Sequence, residues 1–384
     1  MRFLRVIGLG SVGAGLLLGT ACSTGGIGRG VLAADKTAVV TITPAEGVAK
    51  ARPDRPVTVK VADGTLGEVR VTGDGREIPG TFDPARSTWT AKGMLALNTK
   101  YVVSVTARST TGKAATATSS FSTLKPRSTF KVVDVTPGIK GETVGVGMPI
   151  IVTLSAAVTD RKAVEKALRV TSEKPSTGAW RWVSPTQLIY RTEKYWAAHQ
   201  TVRLRAGLTG VNGGKGVYGS ADTTRSFKVG AAQIATVSVP GHTMKVTRDG
   251  RTLRSAIPVS SGNGSTREYT TTSGVHLVMG HEDPATMISP GKKPGDPGYY
   301  KTIAQSAVRF SSSGEYTHSA PWSVGSQGRA NVSHGCVNMS PADARWFYDL
   351  ARRGDVVKVT GTDRKIEWNN GWGYWQVPFS QWAQ

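Results

Sequence analysis

The chain has 384 residues, 39% of them hydrophobic and 19% charged, with 46 glycines and 19 prolines. That length exceeds what one hydrophobic core serves, and the apolar content excludes an intrinsically disordered chain, which leaves a turn-rich, mainly β architecture of several domains. A formal net charge of +22 excludes an acidic, solvating chain and points to anionic partners.

At the start, Arg2 and Arg5 precede an apolar run from Val6 to Leu18 that ends in small residues before Cys22. That order is an export signal, and the run is shorter than the roughly 20 apolar residues of a membrane-spanning helix. The small residues before Cys22 resemble the lipobox of bacterial lipoproteins, although Gly19 stands where a leucine is usual. The resemblance implies a signal peptide over residues 1–22, a lipid on Cys22, and a place in the cell envelope on the outer face of the cytoplasmic membrane. The alternative is a plain secretory signal cut near Ala21 or Ala34. Residues 231–384 carry 16 Lys and Arg against 11 Asp and Glu, a net +5, and residues 1–22 carry only Arg2 and Arg5, so residues 23–230 hold +15. This front half is expected to meet anionic envelope polymers or lipid head groups, more weakly as salt rises; a generally basic, solvated surface is the alternative. An exported chain without a recognisable nucleic-acid-binding module implies no nucleic-acid partner.

Residues 23–36 are small and Gly-rich and read as a flexible tether. Two similar segments follow, with Thr43-Pro44 and Thr136-Pro137 separated by 93 residues. Each offers an alternating strand, the Thr-Pro, a Gly-containing loop, a proline and a second alternating strand. Later, each has a tryptophan stretch and closes on a Ser-Phe strand, at Phe121 and Phe227. Repeats of this kind, built of short alternating strands, predict two immunoglobulin-like β-sandwich domains, residues 37–125 and 126–230.

From Gln233 the pattern changes to a hairpin turning at Asp249-Gly250 and a further strand. Residues 280–300 are too long and too rich in Gly and Pro for a simple connector, and read as a lid-like loop. The stretch SPADARWFYDLARRGD predicts a helix with Ser340 as N-cap, Pro341 in the first turn, Ala344, Phe347 and Leu350 on one face, and Gly354 at its end. Residues 231–361 therefore read as a β-rich third domain with one or two short helices. The tail, residues 362–384, holds Trp368, Trp372, Trp375 and Trp382. Such a run is expected to fold back onto the third domain, or onto the second sandwich, and to brace their interface; a glycan-binding surface is the alternative.

The chain has two cysteines and six histidines, and His318 and His334 both lie within 18 residues of Cys336. If Cys22 carries lipid, Cys336 has no disulfide partner, and a lone thiol in an oxidising compartment shifts the reading toward a nucleophile. Acyl attack by a thiol needs a base and oxyanion donors as well. An imidazole supplies the first, and the amides of Gly335 and Cys336 are natural candidates for the second. Spacing alone leaves a buried, inert cysteine beside packing histidines as the other reading. A zinc site of His318, His334 and Cys336 lacks a fourth ligand with familiar spacing, so no metal is expected, and nothing calls for a cofactor.

The stretch HSAPWSVGSQGRANVSHGCVN resembles the signature of L,D-transpeptidases: a histidine, a spacer, then Ser-His-Gly-Cys and an asparagine two further on. Here 14 residues separate His318 from Ser333. The resemblance extends from HTMKVTRDG to YWQVPFSQW and, with two sandwiches and a lipobox-like cysteine, is similar to the arrangement of the actinobacterial enzymes. It implies that Cys336 is the nucleophile, His318 the general base, and the Ser319 carbonyl the group that orients that imidazole. His334, Gly335 and Asn338 are implied to shape the oxyanion and donor pocket, and Ser333 to brace the motif. Tyr300 and Met287 match lid residues and Trp322 a pocket-edge tryptophan. Relatives usually carry Tyr or Phe shortly after the methionine, whereas this lid reads SPGKKPGDP. The implied partners are peptidoglycan stem peptides: a donor tetrapeptide that loses D-Ala to a cysteine thioester, and the diaminopimelate amine of an acceptor stem. Carbapenems are implied to acylate the same thiol. Water as acceptor makes the protein an L,D-carboxypeptidase, and a noncatalytic wall-binding lipoprotein is the alternative from a different class. A sortase-like enzyme pairs its cysteine with a downstream arginine and lacks the Ser-His-Gly-Cys block.

Overall fold

A computed structural model describes residues 37–289 and 291–384. The signal, Cys22 and the tether lie outside the described residues. Strands dominate, as the composition predicts, and they form immunoglobulin-like sandwiches and a β-rich third domain.

The first sandwich pairs a sheet ordered Val39–Thr43, Thr58–Ala62, Thr88–Ala91, Gly80–Phe82 with a sheet ordered Arg76–Glu77, Gly64–Gly73, Lys100–Ser109, Ala114–Ser122. Strand Lys100–Ser109 alternates exposed and buried along its whole length, the period-two pattern of a sheet with one wet face. Its inward side chains Tyr101, Val103, Val105 and Ala107 join Leu66, Trp89 and Phe121 in one core.

The second sandwich repeats the plan with Val132–Thr136, Ile150–Leu154, Gln187–Thr192, Gly178–Trp182 in one sheet and Thr143–Val144, Thr223–Val229, Gln200–Ala206, Leu168–Ser172 in the other. One expectation fails here. Ile150–Leu154 and Gln187–Thr192 do not alternate; both are buried on both faces. Ile150, Val152 and Leu188 face the sandwich core, whereas Ile151 and Ile189 face outward onto Tyr374 and Trp382 of the tail. A second cover removes the need for polar residues on the outer face.

In the third domain, a five-stranded sheet runs Arg251–Pro258, Thr243–Arg248, Gln233–Ser238, Val356–Thr360, Gly274–Leu277. Asp249 and Gly250 turn the first hairpin with φ of 48° and 78°, which suits a two-residue turn that demands positive φ at both positions. A four-stranded sheet runs Gly280–Glu282, Ala307–Arg309, Tyr316–Ser319, Val337–Met339. Helix Pro341–Leu350 buries Ala344 and Phe347 in a core with Met244, Val308, Phe310 and Val337. Its N-cap Ser340 accepts from the Asp343 N–H. The helix ends four residues before Gly354, because the chain turns extended at Ala351; Gly354 instead takes φ 85° where a Cβ would lie 2.7 Å from Met148 Cβ. Residues 280–300 are not a plain loop either: Ala285–Ile288 pairs with Lys301–Ala304, so the lid is a short hairpin flap.

The tail packs on more than the third domain. In that domain it bonds through Asn370 and Gly371, and Gln376 Nε2 donates to Val275 O (2.7 Å), but it also reaches the second sandwich. Trp375 Nε1 donates to Gly147 O (2.9 Å) and Trp382 Nε1 to Ala179 O (3.1 Å). Arg191 donates to Val377 O (2.7 Å) beneath the rings of Trp375, Phe379 and Trp382. The tail thus spans both domains as expected, and on the sandwich Ile151 and Ile189 offer an apolar face against which Tyr374 and Trp382 pack. Trp368, with 39% exposure, is the most open of the four tryptophans.

Candidate active site

Strands Tyr316–Ser319 and Val337–Met339 lie side by side and parallel, with His318 opposite Asn338. The connection between them carries Trp322 and Ser333 and delivers Cys336 to the foot of the second strand. His318, Trp322, Ser333, His334, Cys336 and Asn338 thereby line one cavity of about 350 Å³, closed above by Met287 and Tyr300 of the flap. A second cavity of about 520 Å³ reaches Cys336 from the other side, lined also by Gly335, His334, Tyr269, Arg309 and Arg364. Cys336 lines both, with Met287, Tyr300 and His334.

His318 is buried, and its Nδ1 lies 2.9 Å from Ser319 O. A carbonyl only accepts, so Nδ1 carries the hydrogen and Nε2 keeps a free lone pair. Burial lowers the imidazole below its usual range, partly offset by the Ser319 bond. Burial pushes the Cys336 thiol up to about 12; the Tyr316 N–H on the sulfur opposes this and the charge of Glu315 adds to it. At neutral pH the resting pair is therefore thiol and neutral imidazole. The thiol donates to Gly314 O (3.6 Å).

Gly335 does not supply a free oxyanion donor. Its N–H donates to Ser333 Oγ (3.1 Å), which in turn donates to Cys336 O (2.5 Å). Ser333 thus ties the turn before Cys336 to itself, and of the two amides read from the sequence only that of Cys336 remains a candidate. Glycine is required at 335 by its φ of 131°, not by crowding, since the nearest atom to a Cβ would be 3.8 Å away. Thr271, which sequence reasoning missed, holds the same turn by donating to Gly335 O (2.8 Å) while accepting from the Gly262 N–H (2.8 Å).

His334 meets the lid. Its ring is stacked on Tyr300 and edge-on to Tyr269, each at 4.6 Å between centroids. Lys292, within the unusual lid sequence, donates to the Tyr269 hydroxyl (3.2 Å). Lid and motif are therefore clasped through Tyr269, a residue with no sequence signal. Asn338 is buried and donates to Ser323 Oγ (3.0 Å). Trp322 is 58% exposed, its ring 6.0 Å from that of His318, and Met287 and Cys336 both pack against Ala285, Ala307 and Tyr316. Among the described residues, no three His, Cys, Asp or Glu side chains converge in a metal-holding group.

Comparison with known proteins places this geometry. The family of L,D-transpeptidase catalytic domains matches residues 232–359, and the bacterial Ig domain family matches residues 48–212. L,D-transpeptidase 2 of Mycobacterium tuberculosis is 35% identical over 347 residues, covering 89% of this chain and 83% of its own. A solved LD transpeptidase in complex with imipenem aligns with a TM-score of 0.51 at 37% identity, over 60% of this chain and 99% of that one. An L,D-transpeptidase from Mycobacterium smegmatis aligns with a TM-score of 0.50 at 36% identity, over the same shares of 60% and 99%.

Proposed function

This chain belongs to the L,D-transpeptidase family, and on that premise we propose that it joins the third residues of two peptidoglycan stem peptides through a thioester on Cys336. The single observation that carries the reading is the shared cavity of His318 and Cys336, with the His318 Nδ1 hydrogen committed to Ser319 O.

The chemistry follows from the protonation states. As Cys336 Sγ attacks the carbonyl carbon of the third stem residue, its proton passes to His318 Nε2, so the thiolate exists only as the bond forms. The Cys336 N–H faces the developing oxyanion. The carbon–nitrogen bond to D-Ala breaks, and the departing amine takes the proton from His318. The side-chain amine of diaminopimelate on a second stem then attacks the thioester carbonyl and loses a proton, and the sulfur leaves as the thiol. Two cavities meeting at Cys336 suit a donor and an acceptor arriving from opposite sides.

The export signal and Cys22 support a lipid-anchored enzyme on the outer face of the cytoplasmic membrane, with the sandwiches holding the catalytic domain toward the wall. The +15 of residues 23–230 supports contact with anionic envelope polymers.

The test is intact-protein mass spectrometry of the full chain with imipenem, beside D-Ala release from a donor tetrapeptide. The expected result is one adduct and D-Ala release in the parent, both absent in Cys336→Ala. A folded parent that forms no adduct and releases no D-Ala would refute the reading and move weight to a wall-binding role. Release of D-Ala without cross-linked product when acceptor is supplied would make it a carboxypeptidase.

A further inference from the structure

The hydrogen of the resting thiol is held by a turn. Gly314, whose carbonyl accepts the Cys336 S–H, lies between strands Ala307–Arg309 and Tyr316–Ser319. Within the turn, Ser311 Oγ accepts from the Glu315 N–H (2.9 Å) and lies 3.0 Å from Ser313 Oγ. Its tip is gripped by the C-terminal tail. Asn370 Oδ1 accepts from the Ser312 hydroxyl (2.9 Å) and the Ser313 N–H (3.0 Å). Asn370 Nδ2 donates to Ser313 Oγ (2.9 Å), and the Gly371 N–H donates to Ser312 Oγ (2.8 Å). The approach is close: a Cβ at Gly371 would lie 2.6 Å from Met279 Sδ and 3.1 Å from Ser312 N.

Directly after Gly371, the tail turns onto the second sandwich while Gln376 stays bonded to Val275 O of the third domain (2.7 Å). Trp372 and Trp375 pack on the core of the second sandwich, and Trp375 is held there by Gly147 O (2.9 Å). The turn that accepts the thiol hydrogen is thus bonded to a segment whose other end is anchored on a different domain.

We propose that Asn370 is a positioning residue for Cys336, fixing through the Ser312–Gly314 turn the carbonyl that orients the thiol, and that the second sandwich is thereby a working part of the active site. The inference rests on the reading of Cys336 as nucleophile. It differs from simple bracing, because it assigns a tail residue an effect on one atom of the reaction.

Two rates of the full chain, both read by intact mass, separate the possibilities: acylation by imipenem, and alkylation of Cys336 by iodoacetamide at pH 8. An S–H that donates to a carbonyl is held in its protonated form, so releasing Gly314 eases ionisation of the thiol. Glu315, Tyr300, Tyr316, His318 and His334, the titratable groups around the sulfur, are unchanged by the substitution. Asn370→Ala is therefore expected to be alkylated roughly threefold faster or more. It is expected to be acylated about tenfold more slowly, since a misplaced reacting atom costs up to roughly 100-fold. Asn370→Asp, which keeps the accepting oxygen, is expected to recover most of both. Trp375→Phe, which keeps a ring facing Tyr195 and Arg191 but loses the bond to Gly147, is expected to move both rates in the same directions by a smaller factor.

Unchanged rates in Asn370→Ala would overturn the proposal, as would both rates falling together with the melting temperature, which is the mark of a merely structural residue. Unchanged rates in Trp375→Phe would overturn the part given to the sandwich. A parent chain that is alkylated but never acylated would instead sink the nucleophile reading, so the two failures are distinguishable.

Discussion

The two sandwiches share a plan and differ in what surrounds them. The first keeps its core to itself: every residue of that cluster lies within its own residues 38–121. The second shares its core with Leu277 and Val356 of the third domain and with Trp372 and Trp375 of the tail. Gly145 and Gly147 let the backbones meet, donating to Arg353 O (2.8 Å) and Gly354 O (2.9 Å), where a Cβ on either would collide with the third domain. One copy of the fold acts as a spacer, the other as a strut. What separates them is whether the outer face of one sheet stayed polar.

The largest expected effect breaks the chain at these two places. Removing residues through 125 is expected to leave imipenem acylation within about twofold, because the deleted core is independent of the site. Removing residues through 230 exposes Leu277, Val356 and the tail tryptophans together, and calorimetry is expected to show no cooperative transition and mass spectrometry no adduct. Equal behaviour of the two truncations would erase the distinction.

A matched pair of tryptophans sharpens it. Trp89, in the first core, and Trp382, in the tail, are 3% and 0% exposed. Each change to Ala is expected to cost about 3–5 kcal/mol of its unit's stability by denaturant unfolding. Only Trp382→Ala is expected to slow acylation, since only it loosens the tail.

The third domain carries a titratable group where it meets the strut. Asp355, beside Gly145, is pushed up to about 7 by burial, against the opposing bonds of the Arg352 N–H and Gln233. Its folded value lies above the unfolded one, so the folded state binds the extra proton and stability falls as pH rises from about 4 to about 7. Asp355→Asn keeps an accepting oxygen without the charge. It is expected to raise stability at pH 8 by on the order of 1–3 kcal/mol and to change little at pH 4, read as melting temperature against pH. A gain that is equal at both pH values would contradict the burial account.

Smallest is the exposed pair of His199 and Asp249, 3.0 Å apart across the same interface, with side chains 62% and 42% exposed. His199→Ala is expected to cost under about 1 kcal/mol in denaturant unfolding. A larger loss would mean that surface charge, and not the shared core, holds the strut.

Much of the site was legible because its chemistry is local. His318, Ser333, Gly335 and Cys336 stand in one stretch, and the parallel pairing of two strands brings its ends together. Thr271, Tyr269 and Asn370 were not legible, since each acts on that stretch from far along the chain and none belongs to a residue type that spacing singles out. The Gly335 amide was misread for a related reason: whether a donor is free depends on where the Ser333 hydroxyl turns. Likewise, the apolar runs at Ile150–Leu154 and Leu188–Tyr190 held a sign of double burial, but not the identity of the cover.

The sequence by itself determined the strand-rich class, the repeat, the helix start at Ser340, and the contiguous Ser-His-Gly-Cys block, because period-two alternation, capping chemistry and contiguous motifs are properties of neighbouring residues. Only the tertiary structure decided which sandwich became the strut, that the tail crosses to it, and that Asn370 reaches the turn beneath the thiol. Those contacts join residues tens to hundreds of positions apart, and they form wherever an apolar face or an unpaired backbone group is left for the tail to cover.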